Sequence, residues 1–262
     1  MTNQQSQGAS QAPEDVQHID LGTGSFGYST VGLDTLNNVG TRFTLVTAVG
    51  DVSPSTSSFQ GHMEKALQEV VKSCGSSPER DTFLYRLMLF AVRMEEVHGF
   101  RPLTQCPPDM YDGALKKARL GGRTSLYDAT INSLEATRVE ARRLGSADFD
   151  VNACVFVITD GLDNESAATM NDVRAAFESL KKEEYCESVL PILIGVNITD
   201  PEVSLRLDQF HKDSGFAQYV ELDNADAKTL AKLAQFIAKS ASSQSQSLGS
   251  GGPSKPIDIN TI

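Results

Sequence analysis

The sequence is short of positive charge. Its 23 Lys and Arg stand against 34 Asp and Glu, a formal balance of -11 with a pI near 4.8. That balance repels phosphate backbones and anionic membranes, so neither nucleic acid nor a membrane is expected as a partner. Cysteine is scarce and scattered: Cys74, Cys106, Cys154 and Cys186 include no C-x-x-C pair. No zinc site or disulfide framework follows, and a reducing, cytoplasmic compartment is expected. No apolar run approaches the roughly 20 residues that a membrane span needs. The first stretch, MTNQQSQGASQAPED, has neither a basic n-region nor an apolar h-region, so no secretory signal is expected. Internal repeats are lacking as well. Hydrophobic residues nevertheless make up 40% of the 262, enough for a sizeable core in one large domain with tails.

Short apolar runs alternate with helix-spaced stretches. Phe43 to Val49 (FTLVTAV), Ala153 to Thr159 (ACVFVIT) and Val189 to Val196 (VLPILIGV) are rich in Val, Leu and Ile, the pattern of strands buried on both faces. Phe216 to Leu222 reads as a last strand. Thr82 to Val92, with a return strand to Phe100, reads as an antiparallel edge hairpin. Helical spacing marks Ser58 to Cys74, Leu126 to Leu144, Ala168 to about Glu184 and Ala225 to about Lys239. Another helix starts at Asp200-Pro201-Glu202, with Asp as cap and Pro in the first turn. The predicted fold is α/β: a doubly wound, mostly parallel central sheet with an antiparallel edge strand, flanked by helices. It occupies residues 41–240. Residues 1–40 read as a polar leader and an irregular arm. Residues 241–262 read as a Ser/Gly/Pro-rich tail whose Ile257-Asp258-Ile259 is expected to be ordered on a sheet edge or groove, such as the edge of the 82–100 hairpin in its own molecule or a neighbour, with plain disorder as the alternative.

Three patterns compete for function. Gly22 to Gly27 is a literal G-x-G-x-x-G, but a phosphate loop needs a helix after it, and YSTVGLD is no convincing helix. His62 and Glu64 open an H-x-E pattern, yet no paired cysteines follow to complete a zinc deaminase. His98 has no second His or Cys nearby. The third pattern is stronger. Where the run Phe43 to Val49 stops, Asp51-Val52-Ser53-Pro54-Ser55 offers a carboxylate and two hydroxyls at the carboxyl end of a strand, where open parallel sheets bind ligands. All are oxygen donors, which suits a hard divalent cation. Alone, the pattern also reads as a turn. Two later loops add to it: Gly121-Gly122-Arg123-Thr124-Ser125, opening a helix, and Asp160-Gly161, ending the second strand run.

At this point the sequence resembles the von Willebrand factor A (vWA) domain family and its metal-ion-dependent adhesion site. The family's Asp-x-Ser-x-Ser falls on Asp51, Ser53 and Ser55, its loop threonine on Thr124 in GGRTSLYDA, and its third-loop aspartate on Asp160 in TDG. The likeness spans about Thr41 to Lys239. It implies an ion held by the hydroxyls of Ser53, Ser55 and Thr124, with Asp51 and Asp160 acting through water or hydrogen bonds. Mg²⁺ or Mn²⁺ is expected, with Ca²⁺ a poorer fit. Such an ion keeps an open position for an Asp or Glu carboxylate of a partner protein. Cytoplasmic, bacterial vWA proteins of this kind resemble those paired with MoxR-type AAA+ ATPases or found in stress-response systems. Pro54 stands where the family often has Gly, and Gly50 replaces a bulky residue, so a less tightly packed strand end is expected. Asp163 and Asn164, beside the third loop, read as turn formers, with support of the metal site as the alternative. No His stands in any of the three loops, so binding and not catalysis is expected. The alternatives are a metal-dependent phosphohydrolase using Asp51 and Asp160, and a structural subunit joined through its tail.

Overall fold

Both faces of the central strands are buried, which is why their sequences read as unbroken apolar runs. The structure, a computed structural model, describes residues 14–20, 25–37, 39–118, 121–248 and 256–262. In chain order the elements are β1 (Glu14–Asp20), β2 (Ser25–Val31), α1 (Leu33–Leu36), β3 (Arg42–Asp51), α2 (Gln60–Gly75), β4 (Phe83–Phe90), β5 (Met94–Pro102) and α3 (Ala114–Lys117). There follow α4 (Leu126–Gly145), β6 (Asp150–Thr159), α5 (Met170–Lys181), β7 (Val189–Val196), α6 (Pro201–Ser214), β8 (Gln218–Leu222) and α7 (Ala227–Ser247). Among the described residues, no helix is long and apolar enough to cross a membrane.

The eight strands form one sheet in the order β1-β2-β5-β4-β3-β6-β7-β8. The five strands from β4 to β8 in that order are mutually parallel. β5 runs antiparallel to β4, as the sequence predicts. Along β3 and β6 the side chains take sides with period two. Val46, Ala48, Cys154, Phe156 and Ile158 join the core under α2 and α7, while Val49, Val155 and Val157 join the core under α4, α5 and α6. From β3 the chain moves through α2 to β4 on one side; from β6 it moves through α5 to β7 on the other. Strand order therefore reverses between β3 and β6, and the crevice outside their carboxyl ends is where such sheets place ligands.

Three expectations change. The arm expected to be irregular is strand from Glu14 on: β1 pairs with β2 in seven-residue register, and β2 meets β5 at Thr30 and Phe100. Its anchors are distant in sequence, which hides them from local patterns. Tyr28 and Thr30 donate hydroxyl hydrogens to Glu140 at 3.0 and 2.8 Å, and Ser29 donates through its amide and hydroxyl to Glu96 at 2.7 and 2.8 Å. Most of the leader (1–13) and the start of the glycine motif (21–24) lie outside the described residues; Ser25 to Gly27 continue as strand, where a phosphate loop would open a helix.

The last helix does not stop near Lys239 but runs to Ser247 through a Ser/Gln stretch of poor propensity. Packing overrides propensity there. Ser240, Ala241 and Gln244 are buried, the Gln244 amide donates to the Ser188 hydroxyl at 2.8 Å, and Asn152 donates to the Gln244 carbonyl. Residues 249–255 of the Ser/Gly stretch are outside the described residues. The hook does not extend the 82–100 hairpin, whose outer strand β5 is already paired with β2. It forms a 3₁₀ turn at Ile259–Thr261, with Ile257, Ile259 and Ile262 packed on the α2/α7 core. Gln218 at the opposite sheet edge donates to the Ile257 carbonyl at 2.9 Å.

His98, in β5, is buried and engaged at both ring nitrogens, Nδ1–H donating to the Gly99 carbonyl and Nε2 accepting from Tyr111, each at 2.9 Å. Burial, with the nearby Arg101 charge in a lesser part, pushes it down from 6.5 to about 4. The unfolded chain then takes up this proton first as pH falls, so the native state loses stability between about pH 6.5 and 4. Urea unfolding across that range checks this: relative to His98→Gln, the wild type becomes progressively less stable on acidification. A pH-independent difference would remove His98 as the cause.

Candidate metal centre

β3 ends in Asp51, and the Val52 amide donates to the Phe90 carbonyl at 2.9 Å, which ties the strand end to β4. Gly50 does not loosen this junction as expected. A Cβ there would stand 3.3 Å from the Leu89 side chain, so the absent side chain is what lets Leu89 fill the space. Pro54 opens a 3₁₀ turn, Pro54–Ser58, and the residue before a proline is held extended; Ser53 has φ -60° and ψ 163°. The Ser53 amide turns back to Asp51, whose Oδ1 accepts it at 2.8 Å. Asp51 Oδ2 accepts the Thr159 hydroxyl at 2.8 Å, linking β3 to the end of β6.

The hydroxyls of Ser53 and Ser55 are 2.9 Å apart, and Ser55 donates to Asp160 Oδ1 at 2.8 Å. Asp51, Ser53, Ser55 and Asp160 thus form one hydrogen-bonded chain across the switch point. Thr124, 5% exposed, does not belong to that chain. Its backbone is tied to the loop that follows Asp160: its amide donates to Asn164 Oδ1 at 2.8 Å, and the Asn164 amide donates to its carbonyl at 3.0 Å. The Ser125 amide donates to the Ala91 carbonyl at 2.8 Å, fixing the loop to the end of β4. Gly121 is required here, with φ +110° and a Cβ position 2.8 Å from Val92.

The loop after Asp160 does more than turn. Asp163 Oδ1 accepts from the Tyr127 amide at 3.2 Å and from the Ser166 hydroxyl, and Ser166 accepts from the amides of Tyr127 and Asp128 at 3.1 Å. Asp128 returns the bond, accepting from Ala167 and Ala168 at 3.0 and 2.9 Å. Asp163, Asn164 and Ser166 therefore clamp the third loop onto the start of α4 and set where Thr124 stands. Thr159 was equally invisible as a site residue. The signal for Asp163, Asn164 and Ser166 was the polar composition of their loop, which a turn shares; Thr159, at the end of an apolar strand run, had none.

Both site carboxylates are strained electrostatically. Burial holds Asp51 above the ordinary carboxylate range despite its hydrogen bonds from Ser53 and Thr159. Burial, and then the charge of Asp51, pushes Asp160 up to about 6. Among the described residues neither has a cationic partner within ion-pair distance. Two carboxylates beside the hydroxyls of Ser53 and Ser55 fit a hard divalent cation, whose charge would offset their repulsion. Among the described residues no group of three or more His, Cys, Asp or Glu could hold a metal. An ion here would therefore depend on hydroxyls and water for most of its ligands.

No protein-family model matches the chain, and no curated protein matches it. Solved structures do. The pilus adhesin SpaC from Lactobacillus rhamnosus GG, in an open conformation, superposes with a TM-score of 0.58 at 12% identity, over 78% of this chain and 30% of the adhesin. The PilB minor pilin from Streptococcus sanguinis gives 0.53 at 14%, over 78% of this chain and 62% of the pilin. Proximal thread matrix protein 1 from the mussel byssus, in a structure with a zinc-occupied MIDAS motif, gives 0.51 at 18%, over 77% of this chain and 46% of that protein. This chain spans under a third of the adhesin it resembles. At these identities the likeness establishes the fold: a mostly parallel, vWA/Rossmann-like α/β sheet with an antiparallel strand.

Proposed function

We propose that the chain is a metal-dependent protein-interaction module that takes an Asp or Glu side chain of a partner protein at the crevice between β3 and β6. The observation that carries this reading is the hydrogen-bonded chain Asp51–Ser53–Ser55–Asp160, two unpaired carboxylates and two hydroxyls gathered at the switch point. Ser53, Ser55 and Thr124 would hold an ion of the Mg²⁺ or Mn²⁺ class directly. Asp51 orients Ser53 through its amide, and Asp160 orients Ser55 through its hydroxyl. A bound ion with few anionic ligands supplies an electrophilic position for an incoming carboxylate. The zinc-occupied MIDAS motif of the mussel protein supports a metal at this place in the fold.

No histidine stands in the three loops to act as a base, which favours binding over hydrolysis. The partner class suggested by the family resemblance, an AAA+ ATPase, is the first to test. Affinity capture of partners from a cell extract, with Mg²⁺ and with chelator, tests the reading together with a phosphatase panel on the purified protein. Capture that depends on Mg²⁺ and is lost in Ser53→Ala supports it. Metal-dependent turnover of a phosphoester, or capture indifferent to chelator, would replace it.

A further inference from the structure

Beside the metal loops lies a cleft of about 240 Å³ walled by Leu126, Tyr127, Leu162, Met170, Leu207 and Phe210. The core of the fold does not use it up: Tyr127, Leu162 and Met170 are only partly buried against the α4/α5/α6 core. Its floor is rigid. Leu207 and Phe210 are buried, and the Tyr127 and Phe210 rings stand 5.1 Å apart. Two of its walls leave the metal loops themselves. Leu126 follows Thr124 by two residues and Leu162 follows Asp160 by two, so each lies within about 7 Å of a site residue along the chain. Pockets for drug-sized ligands begin near 300 Å³, so this one suits a single large side chain better than a separate small molecule.

Charge favours the same visitor. On a chain of formal charge -11, an acidic ligand needs local positive potential. Arg206 and Asp163 both line the cleft. Asp163 is engaged by the Tyr127 amide and the Ser166 hydroxyl. Arg206, its side chain 63% exposed, has among the described residues a 3.3 Å pair with Glu202 that an acidic group of the visitor can replace at small cost. Arg123, nearer Thr124, is engaged with Glu165 at 2.6 Å.

We infer that the partner is recognised as an extended acidic-apolar segment: one Asp or Glu enters the metal loops, and a Leu-, Phe- or Met-like side chain one to three residues away enters the cleft lined by Leu126, Leu162 and Phe210. This rests on the metal-dependent reading above and adds what decides between acidic partners. An extended chain covers about 3.3–3.6 Å per residue, so one to three residues bridge the two sites. Burying one such side chain is worth about 1.5–3 kcal/mol, a gain of roughly 10- to 100-fold in affinity.

The test uses glycine-rich heptapeptides with one Asp and with Phe or Ser placed one, two or three residues to either side, titrated by amide NMR onto the full chain in Mg²⁺. The expected result is that at least one Asp/Phe spacing binds roughly 10- to 100-fold tighter than its Asp/Ser counterpart. Shifts at Ser55 are then common to both peptides, and shifts at Leu162 and Met170 belong to the Phe peptide. In Leu162→Asp the Phe-over-Ser ratio falls toward one; Arg206→Glu, at an exposed side chain, weakens both peptides without unfolding the chain. Equal affinity of the Phe and Ser peptides at every spacing overturns this inference and leaves the metal reading standing. A Phe/Ser peptide lacking Asp that binds as tightly as Asp/Phe also overturns it. Failure of every Asp peptide to bind in Mg²⁺ overturns both.

Discussion

Asp51→Ala is expected to lose divalent-ion binding by roughly 100-fold, the upper end of the range for groups that orient metal ligands. Asp51 is 2% exposed and is bound at once to the Ser53 amide and the Thr159 hydroxyl, so it joins the Ser53–Ser55 loop to β6. Its removal frees that loop and takes away one of the two charges that make the site attractive to a cation. The fold should survive. The lost hydrogen bonds are offset by removal of a buried carboxylate that burial already disfavours and that raises Asp160. Asp51→Asn, which keeps a hydrogen-bonding group in place, should likewise lose the ion. Calorimetric titration with Mg²⁺ and Mn²⁺ measures this directly. Thermal unfolding gives a second reading, since an ion at 100 times its Kd stabilises the wild type by about 2.7 kcal/mol and should leave the variant unmoved. Equal ion binding by wild type and Asp51→Ala would place the metal elsewhere.

Glu140→Ala is expected to destabilise the protein by about 3–5 kcal/mol. Glu140 sits on α4 with no exposure at all. Its two oxygens accept four bonds: from Tyr28 at 3.0 Å, Thr30 at 2.8 Å, and Arg143 Nε and Nη2 at 2.9 and 2.7 Å. Truncation leaves Arg143, its side chain 14% exposed, without its carboxylate, and leaves the Tyr28 hydroxyl without its acceptor. Removing one member of a buried ion pair is costly because the other charge stays behind; the pair itself is worth much less. The damage should be polarised. Tyr28 and Thr30 belong to β2, so the amides of β1 and β2 should lose exchange protection before those of β3 and β6. Urea unfolding that shows a loss below about 1 kcal/mol would mean that water replaces the carboxylate, and that strand pairing and the Ser29–Glu96 bonds hold the hairpin.

The fold was legible where burial was two-sided. FTLVTAV, ACVFVIT and VLPILIGV became β3, β6 and β7 because a strand covered on both faces is apolar at nearly every position, with threonine the main exception here. The Asp200-Pro201 start was legible for a local reason, the Asp200 side chain capping the Glu202 amide at 2.8 Å. Elements held by distant polar partners were not legible. β1 and β2 depend on Glu96 and Glu140, and the end of α7 depends on Asn152 and Ser188; no local window contains both ends of such a bond.

The site divides along the same line. By itself the sequence determined the donor chemistry: Asp51, Ser53, Ser55, Thr124 and Asp160 are oxygen donors in loops that leave strands or open a helix, because residue type and local pattern set both. Only the tertiary structure decided that four of them share one hydrogen-bonded chain, that Thr159 and Asn164 hold the loops in place, and that Leu126, Leu162 and Phe210 open a cleft beside them. The physical reason is the reversal of strand order between β3 and β6. It brings together loops more than a hundred residues apart, and contacts of that separation exist only once the sheet has closed.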